Sequence, residues 1–569
     1  MIRRSLAAAL AALFAAPALA ATPKPSVNVY RVAPVIEDGK VSALAMTVSL
    51  TADADGETRL DLPDDWGGGE RLWRFIKDPV VIGGRLSTPD ERTWIVRSKA
   101  RAPLTVRYRV VSAYEGPPPV DSITYAQPII GPDGFYVVGH TVFVRPKDRD
   151  RDRVRFVWAP GTSGLTLASD LERLEKTPGK MDDLGDSVMI ASKDLRILTR
   201  DAVGAPARLA VRGSFGFTDD DFVDMTARII RAVRGFWGDK GEPFLVTLMA
   251  QDAPKGWRSM RGSGLGDAFA VISTREQPLE DYRIFLTHEY FHTWNSSQVG
   301  GLADGPDEPA GYWFSEGFTD YYARRLALRS GLISLEAFAA DWNAALEAYG
   351  TSPARSTPNA EIAKRFWGDK FVHKLPYQRG ALFAALMDAQ FKDRGGLDAI
   401  MRAMRDDAKG RDPAAWGHTA ATLFPRVVKA RTGVDVAPQI KRYITEGEPI
   451  VLSPGVFGGC LSVETRTRAS FDPGFDLDET RRTRIVSGVI PDGPAYAAGL
   501  RDGMKYMGRD RGVDGDGSIE AGYAVRDGGP TRVIRYMPAG KGTVTVQRVM
   551  VPAALTPEAR AACAKAVAG

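Results

Sequence analysis

The sequence predicts a multidomain α+β protein: an N-terminal antiparallel β domain, an α+β centre with a helical lower half, and a β-rich C-terminal module. Three observations carry this. The chain has 569 residues, and at about 150 residues per domain it holds several domains rather than one. The spacing of apolar residues changes along it, from alternation before residue 200 to a three-to-four period in the middle, then back to short runs. With 44% hydrophobic and 25% charged residues, its composition is that of a soluble globular protein, which excludes disordered and collagen-like chains.

Residues 1–20 read MIRRSLAAALAALFAAPALA. Arg3 and Arg4 precede an apolar run from Leu6 to Ala16, and the stretch ends on small residues, which is the order of a secretory signal peptide cleaved after Ala20. That run is too short to span a bilayer, and no other stretch is long and apolar enough. A soluble periplasmic or secreted protein is expected. The balance of 75 basic and 70 acidic side chains, +5, falls to 73 minus 70, or +3, once the leader leaves. Neither value over this length suggests a nucleic-acid groove or a polybasic membrane patch. Two cysteines exclude a disulfide-built scaffold and a cysteine-rich zinc module. Cys460 and Cys563 either close the last region as one loop, in an oxidising compartment, or stand as two separate thiols.

Residues 21–200 form the β domain. Alternating runs such as Leu44–Leu50, Leu104–Val111 and Val154–Trp158 are separated by turn signals such as Asp38-Gly39 and Pro132-Asp133-Gly134. Residues 201–450 form the centre. Thr218 caps a helix whose apolar positions are Phe222, Met225, Ile229, Val233 and Phe236. Strands at Phe244–Met249 and Ala268–Ile272 flank a glycine-rich bend, and helices follow from Tyr282, through Trp313 to Arg329, after Ser334 and after Pro376. Residues 455–569 return to short strands and turns. There Asp514 to Ser518 resembles the start of a calcium loop, but Ile519 and Val525 stand where glycine and glutamate are needed, so a hairpin turn is expected.

The chemistry concentrates at Thr287-His288-Glu289-Tyr290-Phe291-His292. Residues four apart share one helix face, so His288 and His292 can offer two imidazoles to one metal ion, with Glu289 beside them as a general base. Two of the five histidines lie in this motif, and His140, His373 and His418 have none around them. Catalytic zinc takes three protein ligands, and Glu316, in the aromatic run Trp313 to Tyr322, is the third donor. Asp320, one turn on, is placed to hold the second nitrogen of a ligating histidine. One Zn2+ per chain is expected.

His288 to Asn295 (H-E-Y-F-H-x-W-N) followed by Trp313 to Tyr322 (W-x-x-E-G-F-T-x-Y-Y) resembles the glycyl aminopeptidase family of gluzincin metallopeptidases. The resemblance implies a thermolysin-like catalytic domain over residues 201–450 and a PDZ-like domain over 455–569, where Pro491 to Leu500 is similar to the segment entering the short PDZ helix. It also implies that Tyr377, in Leu375-Pro376-Tyr377-Gln378-Arg379-Gly380, donates a hydrogen bond to the oxyanion. The family's Gly-Gly-Leu-Glu-His element corresponds to Gly264, Leu265, Gly266 and Asp267, which would line the substrate cleft. Here the acidic residue that can hold a substrate's amine is displaced to Asp267. The strand at Ala268–Ile272 is expected to take an extended peptide by strand addition.

The expected function is zinc-activated hydrolysis of peptide bonds in peptide or protein substrates, of aminopeptidase type, with Glu289 as base. The alternatives are an endopeptidase of unusual specificity, and a non-catalytic periplasmic peptide-binding or quality-control protein. The PDZ-like domain either binds a peptide segment or is purely structural. No nucleic acid and no membrane span are expected.

Overall fold

The computed structural model describes residues 27–120, 124–159, 164–295, 297–303, 305–409 and 419–569. The leader at 1–20 and His418 lie outside the described residues. Among them, no helix is long and apolar enough to cross a membrane.

Three sheets fill the region up to Ser192. The largest has six strands, in the order Gly179–Lys180, Arg153–Trp158, Val27–Glu37, Lys40–Thr51, Pro103–Val110 and Ile76–Ile82. Pairing is antiparallel as expected, except that Val27–Glu37 runs parallel to Arg153–Trp158. Alternation explains the layering: Tyr30, Val32, Met46, Val48, Val106 and Tyr108 all point into one core.

The central sheet has five strands, in the order Arg196–Asp201, Pro206–Arg212, Phe244–Gln251, Ala268–Thr274 and Met260–Gly264. Its three middle strands are parallel, and Phe244–Gln251 and Ala268–Thr274 are nearly all buried, as strands covered on both faces must be. Two expectations are corrected here. The glycine-rich bend is itself a strand, Met260–Gly264, because its backbone pairs with Ala268–Thr274 from Gly264↔Phe269 to Met260↔Ser273. Ala268–Thr274 therefore has a partner on each side and offers no free edge to a peptide; the free edge is that of Met260–Gly264.

Thr218 caps the Asp219–Trp237 helix, accepting from the Asp221 backbone N–H, and Gly238 ends it with φ of 65°. The helices of the centre pack as one core that includes Trp237, Phe291, Trp294, Phe314, Tyr322, Phe383 and Phe424. The helix expected after Pro376 begins earlier, spanning Lys370–Gln390 with Pro376 inside it. Asp369 caps its start by accepting from the N–H groups of Phe371 and Val372, and the packed face around Leu375 and Leu382 outweighs the lost proline N–H.

After residue 455, strands Ser462–Phe471 and Ala539–Met550 form a ribbon against the Leu335–Thr351 helix. The Asn343 side-chain amide donates to the Val549 carbonyl at 3.1 Å and accepts from its N–H at 2.6 Å, as a neighbouring strand would. A separate three-stranded sheet, Lys505–Arg511, Ala521–Arg526 and Arg532–Tyr536, packs with the short Pro494–Ala497 helix around Leu500, Tyr523 and Ile534. Asp514 to Ser518 lies in the connection between its first two antiparallel strands, the hairpin position expected. Cys460 and Cys563 form a disulfide with Cα atoms 5.5 Å apart, tying the Pro557–Ala568 helix to the start of the ribbon.

Candidate metal centre and cleft

The His288 helix spans Tyr282–Phe291 and lies against the Tyr312–Arg329 helix. His288 and His292, one turn apart, bring their Nε2 atoms to 3.1 Å. Glu316 reaches across from the second helix, placing Oε2 3.3 Å from each of those nitrogens. A tetrahedral zinc with bonds of about 2.0–2.1 Å separates its ligand atoms by roughly 3.3–3.4 Å. The three atoms already stand at that spacing, so the donor set fits the ion. Among the described residues this is the one trio of His, Cys, Asp or Glu side chains that converges in this way.

The surroundings fix the donors. Asp320 Oδ1 lies 2.8 Å from His288 Nδ1, which leaves Nε2 for the metal. Arg324 holds Asp320 in turn, at 3.3 Å, and also pairs with Asp341. Asn295 is buried and donates to the Phe314 and Ser315 carbonyls and to Thr319 Oγ1, pinning the end of the histidine segment to the Glu316 helix. Close approach of a third helix depends on two glycines. Gly317 on the Glu316 helix meets Gly380 on the Lys370–Gln390 helix, where a side chain on either would collide with the other's backbone.

Electrostatics follow this geometry. Burial opposes charge on His288, yet hydrogen bonds to Asp320 and Glu316 raise it to about 10. Burial also opposes ionisation of Glu316, but the two histidines override it and hold the carboxyl far below its usual range. Glu289 is shifted upward, first by burial, while His288 and His292 pull the other way. Its Oε2 accepts from the Gly264 N–H at 3.0 Å, so the free-edged strand positions the carboxylate.

Tyr377 packs beside the trio, its ring stacked 6.2 Å from that of His288. Burial and the carboxylates of Glu316 and Glu289 push its hydroxyl well above the usual tyrosine range, so it remains a proton donor at neutral pH. Of the four residues assigned to the cleft, Gly264 touches Glu289. Leu265 is buried in the neighbouring apolar cluster, and the Gly266 N–H donates to the Asp186 carbonyl at 3.0 Å. Asp267 forms an ion pair with Arg173 at 2.7 Å, so its carboxylate is committed to the β region.

Sequence reasoning missed Asn295 as a brace, Arg324 and the Gly317–Gly380 crossing. The motif string contains Asn295 and Gly317, but the signal for their roles is spatial. Tyr125, from the β region, also faces the centre: Glu289 contributes to raising its hydroxyl above the usual range, after burial.

Residues 281–374 match the family model of the M61 glycyl aminopeptidases. No curated protein matches the sequence. Among solved structures, an aminopeptidase N family protein from Idiomarina loihiensis superposes with a TM-score of 0.63 at 15% identity, over 94% of this chain and 99% of that one. An M1 zinc metallopeptidase mutant from Deinococcus radiodurans, bound to a Tyr-Ser-Ala substrate, aligns at 20% identity with a TM-score of 0.46, over 75% of this chain and 95% of that one. The first likeness shows that the chain shares the fold of aminopeptidase N family proteins.

Proposed function

We propose that this chain, whose central segment belongs with the M61 glycyl aminopeptidases, is an exported zinc peptidase of aminopeptidase type. The observation that carries the proposal is the meeting of His288, His292 and Glu316 at zinc-ligand spacing beside a half-buried Glu289. Zinc bound there supplies Lewis-acid polarisation of the scissile carbonyl and brings the pKa of water toward about 7. Glu289, held by the Gly264 N–H, accepts a proton from the attacking water and returns it to the leaving amine. Tyr377 donates to the carbonyl oxygen as it gains charge. Asp320 orients His288, and a substrate backbone can add to the free edge of Met260–Gly264.

Export is supported by the leader composition and by the Cys460–Cys563 disulfide, which suits an oxidising compartment. A PDZ-like role for the three-stranded C-terminal module rests on the Pro491 to Leu500 string and its short helix.

A second reading, endopeptidase, is favoured by one observation: Asp267 is engaged by Arg173 rather than free to hold a substrate's amine. A panel of free and N-acetylated peptides separates the two. Loss of cleavage on acetylation is expected; retained cleavage would make the enzyme an endopeptidase.

A further inference from the structure

A line of rings leads outward from the metal centre. Tyr377 stacks on His288 at 6.2 Å and His373 on Tyr377 at 6.2 Å, and Phe366 and Trp367 lie tilted against His373 at 4.4 and 6.2 Å. His373 and Tyr377 are four residues apart and so share one face of the Lys370–Gln390 helix. The two outer rings differ: Phe366 is 2% exposed, while Trp367 is 74% exposed. Phe366 is also braced from behind by Tyr312 at 5.0 Å.

A single exposed ring is ordinary on a protein surface; what sets Trp367 apart is its continuity, ring by ring, with the metal centre. The row begins at Tyr377, one ring from His288, so a chain held at the centre can reach it. Three ring-to-ring steps of about 6 Å correspond to several residues of extended peptide at about 3.3 Å each.

We propose that Trp367 and His373 form an aromatic shelf that binds an aromatic or large apolar side chain of an oligopeptide substrate, a few residues from the scissile bond. This rests on the peptidase reading above and adds a substrate class to it: peptides of several residues rather than dipeptides. The contact is ring on ring, of the offset or edge-on kind that aromatic pairs adopt, and is worth roughly tenfold in binding for a desolvated pair.

The test is a set of alanine pentapeptides carrying Phe at each position in turn, assayed for kcat/KM with the full chain as wild type, Trp367→Ala and Trp367→Phe. At one position Phe should raise wild-type kcat/KM about tenfold over Ala. Trp367→Ala should abolish that gain while leaving the all-alanine peptide unchanged, and Trp367→Phe should restore most of it. Where the peptides are cleaved, a gain at no position, or an equal loss on every peptide in Trp367→Ala, would overturn the shelf. Binding of the same peptides to the zinc-loaded, non-cleaving Glu289→Gln protein provides a readout independent of turnover. A Phe preference there that depends on Trp367 supports the shelf even if the wild type cleaves none of them, and a preference indifferent to Trp367 refutes it.

Discussion

The crossing of the Glu316 and Tyr377 helices sets the shape of the centre, and Gly317→Ala tests it. A methyl built on Gly317 would lie 2.6 Å from the Gly380 carbonyl carbon and 2.9 Å from the Ala381 nitrogen. Ordinary contact between such atoms is about 3.5–4.0 Å, so the helices must part by about 1 Å. The obstacle is backbone, not a side chain that can swing aside. Overpacking of this kind costs about 1–3 kcal/mol, of which better helix propensity returns at most about 1. Glu316 is the adjacent residue and Tyr377 lies one turn before Gly380, so the same displacement separates the proposed metal donor from the proposed oxyanion donor. A misplacement of about 1 Å is worth on the order of 100-fold in rate. The assay is kcat/KM on a cleaved peptide together with the thermal midpoint. Gly235→Ala serves as the control, because nothing lies within 4 Å of a methyl there and it should be neutral or slightly stabilising. Wild-type activity and midpoint in Gly317→Ala would refute the argument that this contact positions the site.

Three further outcomes are expected. Asp320→Asn, which weakens the partner of His288 Nδ1, should lower zinc affinity about 10–100-fold in chelator competition without unfolding the chain. Removing the disulfide by Cys460→Ser with Cys563→Ser opens a loop with a sequence separation of 103, and should lower stability by as much as about 4–5 kcal/mol on the chain-entropy view, read as a fall in the denaturant midpoint. Asp170 is buried and raised to about 8, chiefly by burial. Its protonated form therefore favours the folded state, a contribution complete below about pH 4 and lost as pH rises through about 8. Asp170→Asn should flatten the stability profile over that window, gaining on the wild type above pH 8; an unchanged slope would count against it.

The metal centre was legible because its chemistry is local. Four-residue spacing on one helix and a carboxylate in a buried aromatic run suggest that His288, His292 and Glu316 converge, and Glu316 Oε2 lies 3.3 Å from each histidine Nε2. The β region, the Thr218 cap and most helix starts were readable for the same reason, since alternation and capping are short-range. What stayed hidden depends on pairing between distant segments. Met260–Gly264 carries too few side chains to show an apolar period, so its strand character appears only through its partner. Pro376 suggested a boundary, but tertiary packing carried the helix through it. Asp267 looked free in the sequence because Arg173, its partner, lies 94 positions earlier across the β region. Likewise, no spacing rule links Gly317 to Gly380.

The central claim is that His288, His292 and Glu316 hold one zinc ion at which Glu289 acts as base. Elemental analysis of the purified chain, paired with peptide hydrolysis by wild type and Glu289→Gln, tests it most directly. The account predicts one zinc per chain in both proteins, with hydrolysis lost by several orders of magnitude in the variant. A chain without stoichiometric metal, or a Glu289→Gln protein that cleaves as the wild type does, would contradict it.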